Sequence, residues 1–304
     1  MMKNNNSRRG FLKKCGGLMA ISAFSSPIEI FGLSYPKKEV ILSGHVWLYA
    51  SKFPPDWDCT PIIEEAFRDF RKAGLKGMEL MESNLRDHRR IPLLKELINK
   101  YKVPVTGCSY YGDMWNKEKK EQILEDVELV TSHLQKLGGS TFGITVGDAG
   151  RKKTENELDS QGDLLMEIME VCSKRDIVPN LHNHTFEMDY NLNDFLGTIA
   201  RVPDLKLGPD INWLMRAGID PVWFIEKYGH KMVYLHLRDQ DKNGKWTRSL
   251  GEGVTDFKGI AKALTKVDFS GRAAIELAFE TPPTGSVTEE WIKSRKFVTK
   301  VFSW

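Results

Sequence analysis

The chain reads as a closed (β/α)8 barrel in a single domain, on three observations. Short apolar runs alternate eight times with amphipathic helical patterns after residue 38. Eight such units in about 250 residues fit a closed barrel better than an open doubly wound sheet. The first strand-to-helix turn also lacks the Gly-rich dinucleotide fingerprint and the phosphate loop that open sheets often carry there.

In chain order the strands are expected at 40–49, 77–81, 103–110, 141–147, 177–184, 205–210, 232–238 and 273–280. The helices between and after them are expected at 61–73, 92–101, 117–137, 155–175, 192–202, 221–228, 256–267 and 288–302. Alternate strand residues face the helices and the barrel axis, so each strand can be split by parity. On the second strand Glu79 shares the face of Gly77 and Met81. On the fourth, Phe142, Ile144 and Val146 oppose Thr141, Gly143, Thr145 and Gly147, an inner face that leaves room. On the fifth, His182 and His184 share the parity of Asn180 and oppose Leu181. The sixth sets Leu205 and Leu207 against Lys206, Gly208 and Asp210. The seventh sets Val233, Leu235 and Leu237 against Tyr234, His236 and Arg238, and the eighth sets Ala273, Ile275 and Leu277 against Ala274, Glu276 and Ala278. The polar sets project into the mouth of the barrel, where this fold keeps its active sites.

The 304 residues are 41% hydrophobic, enough for one large core, and 44 basic against 41 acidic residues leave a net charge of +3. Nothing in that balance calls for a nucleic-acid partner. The four cysteines, Cys15, Cys59, Cys108 and Cys172, form no CxxC pair, so neither a disulfide framework nor a thiolate zinc site is expected. Imidazole and carboxylate groups on four neighbouring strands, from His182 or His184, Asp210, His236 and Glu276, are instead the ligand types that a borderline or hard divalent cation takes.

Residues 1–35 do not read as part of the fold. SRRGFLKK, from Ser7 to Lys14, precedes an apolar run that Gly, Ser and Pro interrupt too often for a membrane span. The pattern resembles a twin-arginine export signal, which implies a folded, cofactor-loaded cargo in the periplasm with no membrane attachment once the signal is removed. The barrel is then expected over 36–304.

HNHTFEM from His182, PDINW from Pro209, YLHLRD from Tyr234, LGEG from Leu250 and AAIE from Ala273 together resemble the sugar phosphate isomerase/epimerase family of xylose isomerase-like TIM barrels. The resemblance covers nearly all of residues 40–302. It implies one divalent metal ion, commonly manganese but also zinc, cobalt or magnesium, held by Asp210, His236 and Glu276 and by a fifth-strand residue. The family's fifth-strand glutamate is His182 here, which removes one member of the carboxylate pair that moves the proton in its epimerases. The implied chemistry is loss of a proton next to the carbonyl of a keto-sugar, through an enediolate stabilised by the cation. Reprotonation gives an epimer or isomer. Loss of a β-substituent gives the lyase or hydratase outcome, on 3-keto-sugars or 3-keto-glycosides.

Glu276, His184 and Glu187 are the candidate acid/base groups. Glu79, Arg238 and Arg248 are candidates for contacts to sugar hydroxyls, and Glu79 could equally pair with Lys206 inside the barrel. Tyr110, Trp115 and Trp213 are candidates to cover the apolar face of a sugar, with Trp47, Trp57, Tyr111 and Trp246 also in or next to mouth loops. A non-catalytic sugar-binding protein would not need inward metal ligands, and a metallo-endonuclease on this barrel would need more histidines and a basic groove. The expected partner is a small carbohydrate, with self-association left open. Replacing Arg8 and Arg9 by Lys is expected to leave soluble protein in the cytoplasm of a host with twin-arginine export; unchanged export in a fractionation experiment would contradict the signal assignment.

Overall fold

A computed structural model describes residues 39–280 and 285–304; the export-type segment lies outside them. Strands and helices alternate as β1 (Ile41–His45), α1 (Trp47–Ala50), α2 (Ile63–Ala73), β2 (Gly77–Met81), α3 (Glu82–Leu85), α4 (Ile91–Tyr101), β3 (Val105–Tyr111), α5 (Lys120–Lys136), β4 (Thr141–Thr145) and α6 (Glu155–Ser173). The second half continues with β5 (Val178–Leu181), α7 (Thr185–Arg201), β6 (Lys206–Leu207), α8 (Ile211–Arg216), α9 (Pro221–Tyr228), β7 (Tyr234–Leu237), α10 (Phe257–Lys266), β8 (Arg272–Ile275) and α11 (Val287–Phe302).

All eight strands are parallel, in the order β6-β5-β4-β3-β2-β1-β8-β7. The two ends of that order meet through parallel bridges between Leu207 and Met232 and between Asp210 and His236, which nearly close the barrel. The parity split holds through the ladder: Glu79 is level with Gly107, Gly143 with Asn180, and His236 with Ala274. Leu42, Met78, Leu80, Phe142, Ile144, Leu235, Leu237 and Ile275, on the outer faces, are fully buried. They pack under the helices, where most of the hydrophobic stabilisation of this fold arises.

The first and last helices seal the ring. Trp291 Nε1 donates to Tyr49 Oη at 3.0 Å, Tyr49 Oη donates to Asp69 Oδ2 at 2.8 Å, and Thr288 Oγ1 donates to Asp69 Oδ1 at 2.7 Å. These bonds tie α11 to α1 and α2 across the point where the chain closes on itself. Every polar atom in this buried chain thereby finds a partner.

Several boundaries differ from the sequence expectation. The first strand stops at His45, and the apolar residues after it form α1. An apolar run of that length fits either element, and only the packing decides. The fifth strand ends at Leu181, and α7 begins at Thr185 rather than near 192. His184 and Glu187 close a capping box there, and a kink at Asp189–Leu192 contains three consecutive left-handed residues. The sixth strand has only two residues, because Asp210 caps α8 with bonds from Asn212 N at 2.7 Å and Trp213 N at 3.2 Å.

The barrel interior leaves no room for a side chain just after β6. A methyl group on Gly208 would stand 1.8 Å from Asn180 Oδ1 and 3.0 Å from Tyr234 Cβ. Gly208→Ala is expected to lower the unfolding free energy by about 1–3 kcal/mol in urea titration; an unchanged midpoint would show that Asn180 gives way freely.

Candidate active site

The C-terminal mouth of the barrel opens into a cavity of about 1050 Å³. His45 at the end of β1, Ser109 on β3, Thr145 on β4 and His236 on β7 form its inner wall, with His182, Arg238 and Glu276 just beyond β5, β7 and β8. All four of His45, His182, His236 and Glu276 are buried. No helix among the described residues is long and apolar enough to cross a membrane.

Glu79 lies beneath this wall and sets its geometry. Its Oε2 accepts from Tyr234 Oη at 2.6 Å and faces His236 Nε2 at 2.7 Å. Burial works against charge on both groups. The Glu79 carboxylate nonetheless raises His236 to a pKa of about 9, and His236 in turn holds Glu79 below the ordinary carboxylate range. Nε2 of His236 therefore carries a proton, and its Nδ1 points at Nδ1 of His182, 2.9 Å away. Burial, helped by the neighbouring charge of His236, holds His182 well below 6.5, so His182 is the neutral acceptor of that pair.

Asp210 is buried off the cavity wall. One oxygen caps α8, while Oδ2 is fully buried with no hydrogen-bond partner and lies 3.7 Å from Arg238 Nε. Burial raises its pKa above the usual value. Asn183, between the two histidines of HNH, fixes it from the backbone side: Asp210 N donates to Asn183 Oδ1 at 3.2 Å, and Asn183 Nδ2 donates to Asp210 O at 3.4 Å. Glu276 pairs with Arg238 Nη2 and lies 3.7 Å from His45 Nδ1. Burial opposes its charge, but Arg238 prevails and holds the carboxyl at about 2.

The residues at this mouth fit a divalent cation. Two converging imidazole Nδ1 atoms, an unpartnered buried carboxylate oxygen on Asp210 and the ionised Glu276 provide nitrogen and oxygen donors without thiolate. Among the described residues, the grouping that brings three ligand atoms within 4.8 Å of one another is His45, Glu79 and His236. Its atoms are already engaged, since His45 Nδ1 accepts from Trp47 N at 3.0 Å, His45 Nε2 meets Ser109 Oγ at 2.8 Å, and Glu79 holds Tyr234 and His236. On the opposite side of the ring His236 Nδ1 meets His182 Nδ1, while Glu79 orients the ring from behind.

The other candidates separate into two sets. His184 faces the cavity, with Nδ1 buried and unpartnered, and burial lowers it to about 4, so it is a neutral imidazole. Trp213 also faces the cavity, 5.1 Å from the His184 ring and 5.8 Å from Trp246. Tyr110 reaches the wall while its hydroxyl donates to Asp126 at 3.0 Å. Glu187 is off the wall: it accepts from His184 N at 2.7 Å and Val146 N at 3.4 Å, and burial raises it to about 8. Trp115 and Arg248 are off the wall as well. Glu79 does not pair with Lys206, which is exposed; its partners are Tyr234 and His236. His45 and Ser109 have no counterpart among the sequence candidates. The parity split, extended to β1, would have found His45, since Ser43 and His45 oppose the buried Leu42.

A family model described as xylose isomerase-like TIM barrel matches residues 67–300. The chain belongs to that family. D-allulose 3-epimerase from Methylomonas sp. superposes with a TM-score of 0.70 at 16% identity, over 87% of this chain and 98% of that one. The 3-keto-D-glucoside 4-epimerase of E. coli superposes with a TM-score of 0.66 at 15% identity, over 88% of this chain and 100% of that one. Among curated relatives, an inosose dehydratase from Glaesserella parasuis serovar 5 (strain SH0165) is 33% identical over 95 residues, 25% of this chain and 31% of that protein's length. At these identities the solved structures share the family's barrel.

Glu82, on the cavity wall, is buried and raised to about 7, chiefly by desolvation and against the pull of Arg86. The free carboxyl ionises near 4.5. A raised acid adds no penalty below the unfolded value, and native stability is lost as pH rises through the folded value. Glu82→Gln is therefore expected to gain up to about 3 kcal/mol relative to the parent between pH 5 and pH 8 in urea titrations. A difference independent of pH would place the ionisation of Glu82 elsewhere.

Proposed function

We propose that this protein is a sugar isomerase/epimerase-type enzyme that removes the proton next to the carbonyl of a keto-sugar at the barrel mouth. The cation site would be His182, Asp210, His236 and Glu276, with manganese the first choice and zinc, cobalt or magnesium as alternatives. The observations that support the site are the two imidazole Nδ1 atoms, 2.9 Å apart, and the buried Asp210 Oδ2, which has no hydrogen-bond partner. A divalent cation bound there would polarise the sugar carbonyl and acidify the neighbouring C–H.

The chain's own groups supply the rest. Glu276 is ionised at neutral pH and His184 is a neutral imidazole, so each can accept a proton from a sugar carbon in the cavity. Arg238 lies against both carboxylates and offers a fixed positive charge to a developing oxyanion. Trp213 presents an indole to the apolar face of the sugar.

Histidine at 182 leaves this mouth without the second carboxylate of a two-base exchange. That favours a second reading, a lyase or hydratase on 3-keto-sugars or 3-keto-glycosides, in which proton loss is followed by expulsion of a β-substituent. A related inosose dehydratase and a similarly folded 3-keto-D-glucoside epimerase support considering that substrate class. With the SRRGFLKK segment, the reading is of a periplasmic enzyme that meets free or glycosidic sugars.

Incubation with ketoses and 3-keto-glycosides in deuterated water is expected to exchange the proton next to the carbonyl, and chelation to abolish the exchange. Glu276→Gln is expected to reduce both metal content and exchange by on the order of a hundredfold. Full metal and full exchange in that variant would show that Glu276 is neither ligand nor base. His182→Glu is expected to keep the metal, and any gain of epimerisation by NMR would show that this position sets the reaction type.

A further inference from the structure

The cavity is larger than the chemistry needs. Small-molecule pockets run from about 300 to about 1,000 Å³, and a single keto-hexose belongs at the low end of that range. At about 1050 Å³ this cavity has a second arm, which runs from the inner wall to the loops after β1 and β2. Trp47, Trp57, Asp58, Glu82 and Arg90 line it, and none of them belongs to the cation group.

That arm is a built surface. The Trp47 and Trp57 rings lie 5.4 Å apart at an interplanar angle of 46°, and Trp57 is 36% exposed. Trp57 has φ of +52°, a left-handed backbone that a bulky residue adopts at a cost. The loop holds it there: Ser83 Oγ donates to Trp57 O at 2.9 Å, Trp57 N donates to Phe53 O at 2.7 Å, and Arg90 grips both Asp58 and Ser83 O at 2.7 Å. Trp47 is joined to the inner wall through its N–H bond to His45 Nδ1. A half-open indole pair, fixed at energetic cost and rimmed by carboxylates and a guanidinium, suits a ring with one apolar C–H face and hydroxyls at its edge.

We propose that this outer arm is a second sugar subsite, built on Trp47 and Trp57, and that the substrate is a keto-disaccharide whose reacting ring sits in the inner arm. The proposal rests on the keto-sugar reading above for the reacting ring only. The second ring is recognised by stacking on the indoles and by hydrogen bonds to Asp58, Glu82 and Arg90.

The test compares 3-keto derivatives of methyl glucoside, phenyl glucoside, cellobiose and maltose as exchange substrates, and the four parent glycosides as ligands in calorimetry. At least one disaccharide is expected to have kcat/KM about tenfold or more above methyl glucoside, carried mainly by KM. Trp57→Gly removes the ring and suits the left-handed backbone; it is expected to bring the two values within about threefold, and Trp57→Phe to restore most of the preference. Equal kcat/KM for one ring and two in the parent protein overturns the subsite, as does a disaccharide preference that survives in Trp57→Gly. A preference for phenyl glucoside over both disaccharides overturns the assignment to a sugar ring. If no keto-sugar exchanges but a disaccharide binds in a Trp57-dependent manner, the proton-transfer reading fails and the subsite stands.

Discussion

The ion pair between Glu79 and His236 fixes the site. A carboxylate at the centre of a barrel costs several kcal/mol to desolvate unless it is paired and hydrogen-bonded. Here Oε2 is met by both Tyr234 Oη and His236 Nε2. The arrangement decides the tautomer of His236. With Nε2 committed to Glu79, only Nδ1 is left to face His182. A cation at that nitrogen would have to displace the proton shared with His182. Removing Glu79 would therefore free the ring to rotate, although Glu79 does not itself line the cavity.

The barrel can hold so many polar groups because its inner faces are small. Gly107 and Gly143 stand level with Glu79 and Asn180, and Gly208 lies against Asn180 Oδ1. Larger residues at those positions would fill the axis with apolar volume and push the charged side chains outward. A similar economy shapes the loop that follows β7. Asp239 accepts from Gly251 N and Gly253 N at 2.9 Å, from Gln240 N at 2.9 Å and from Thr255 N at 3.3 Å. Gly253 is pressed against Gln240 O, where a methyl group would stand 2.1 Å away. The LGEG segment thus winds around the residue next to Arg238, which explains its place beside YLHLRD in the resemblance.

Strand parity carried most of what the sequence reveals. It placed His182, Asp210, His236, Arg238 and Glu276 on inner faces because a pleated strand leaves each residue only two directions. It was less informative where the chain leaves the strands. His184 and Asp210 are helix caps as well as strand ends, and the short helix at α8 begins directly at Asp210. His184 is not among the residues that ordinarily mark a helix start, so its capping box with Glu187 was hidden, and Glu187 read as a group free to act. The outer arm was hidden for another reason. Trp57, Ser83 and Arg90 meet only because a bend after β1 and two short helices after β2 converge, and no periodicity encodes such a convergence.

Arg238 is where these constraints meet. Its guanidinium lies 4.8 Å from the Trp246 ring and 5.6 Å from the Trp213 ring, pairs with Glu276 and approaches Asp210. Trp246 is itself anchored by Nε1 to Asn212 Oδ1 at 2.9 Å, and Asn212 by Gln240 at 2.9 Å. The cation–π contacts hold the guanidinium from the loop side while the two carboxylates draw it inward. Relative to the glutamate that the resemblance expects at position 182, this mouth has one negative charge fewer, so the fixed charge of Arg238 offsets a larger share of what remains. A substrate oxygen with developing negative charge would meet a guanidinium already desolvated and oriented, with no reorganisation to make at the moment of reaction.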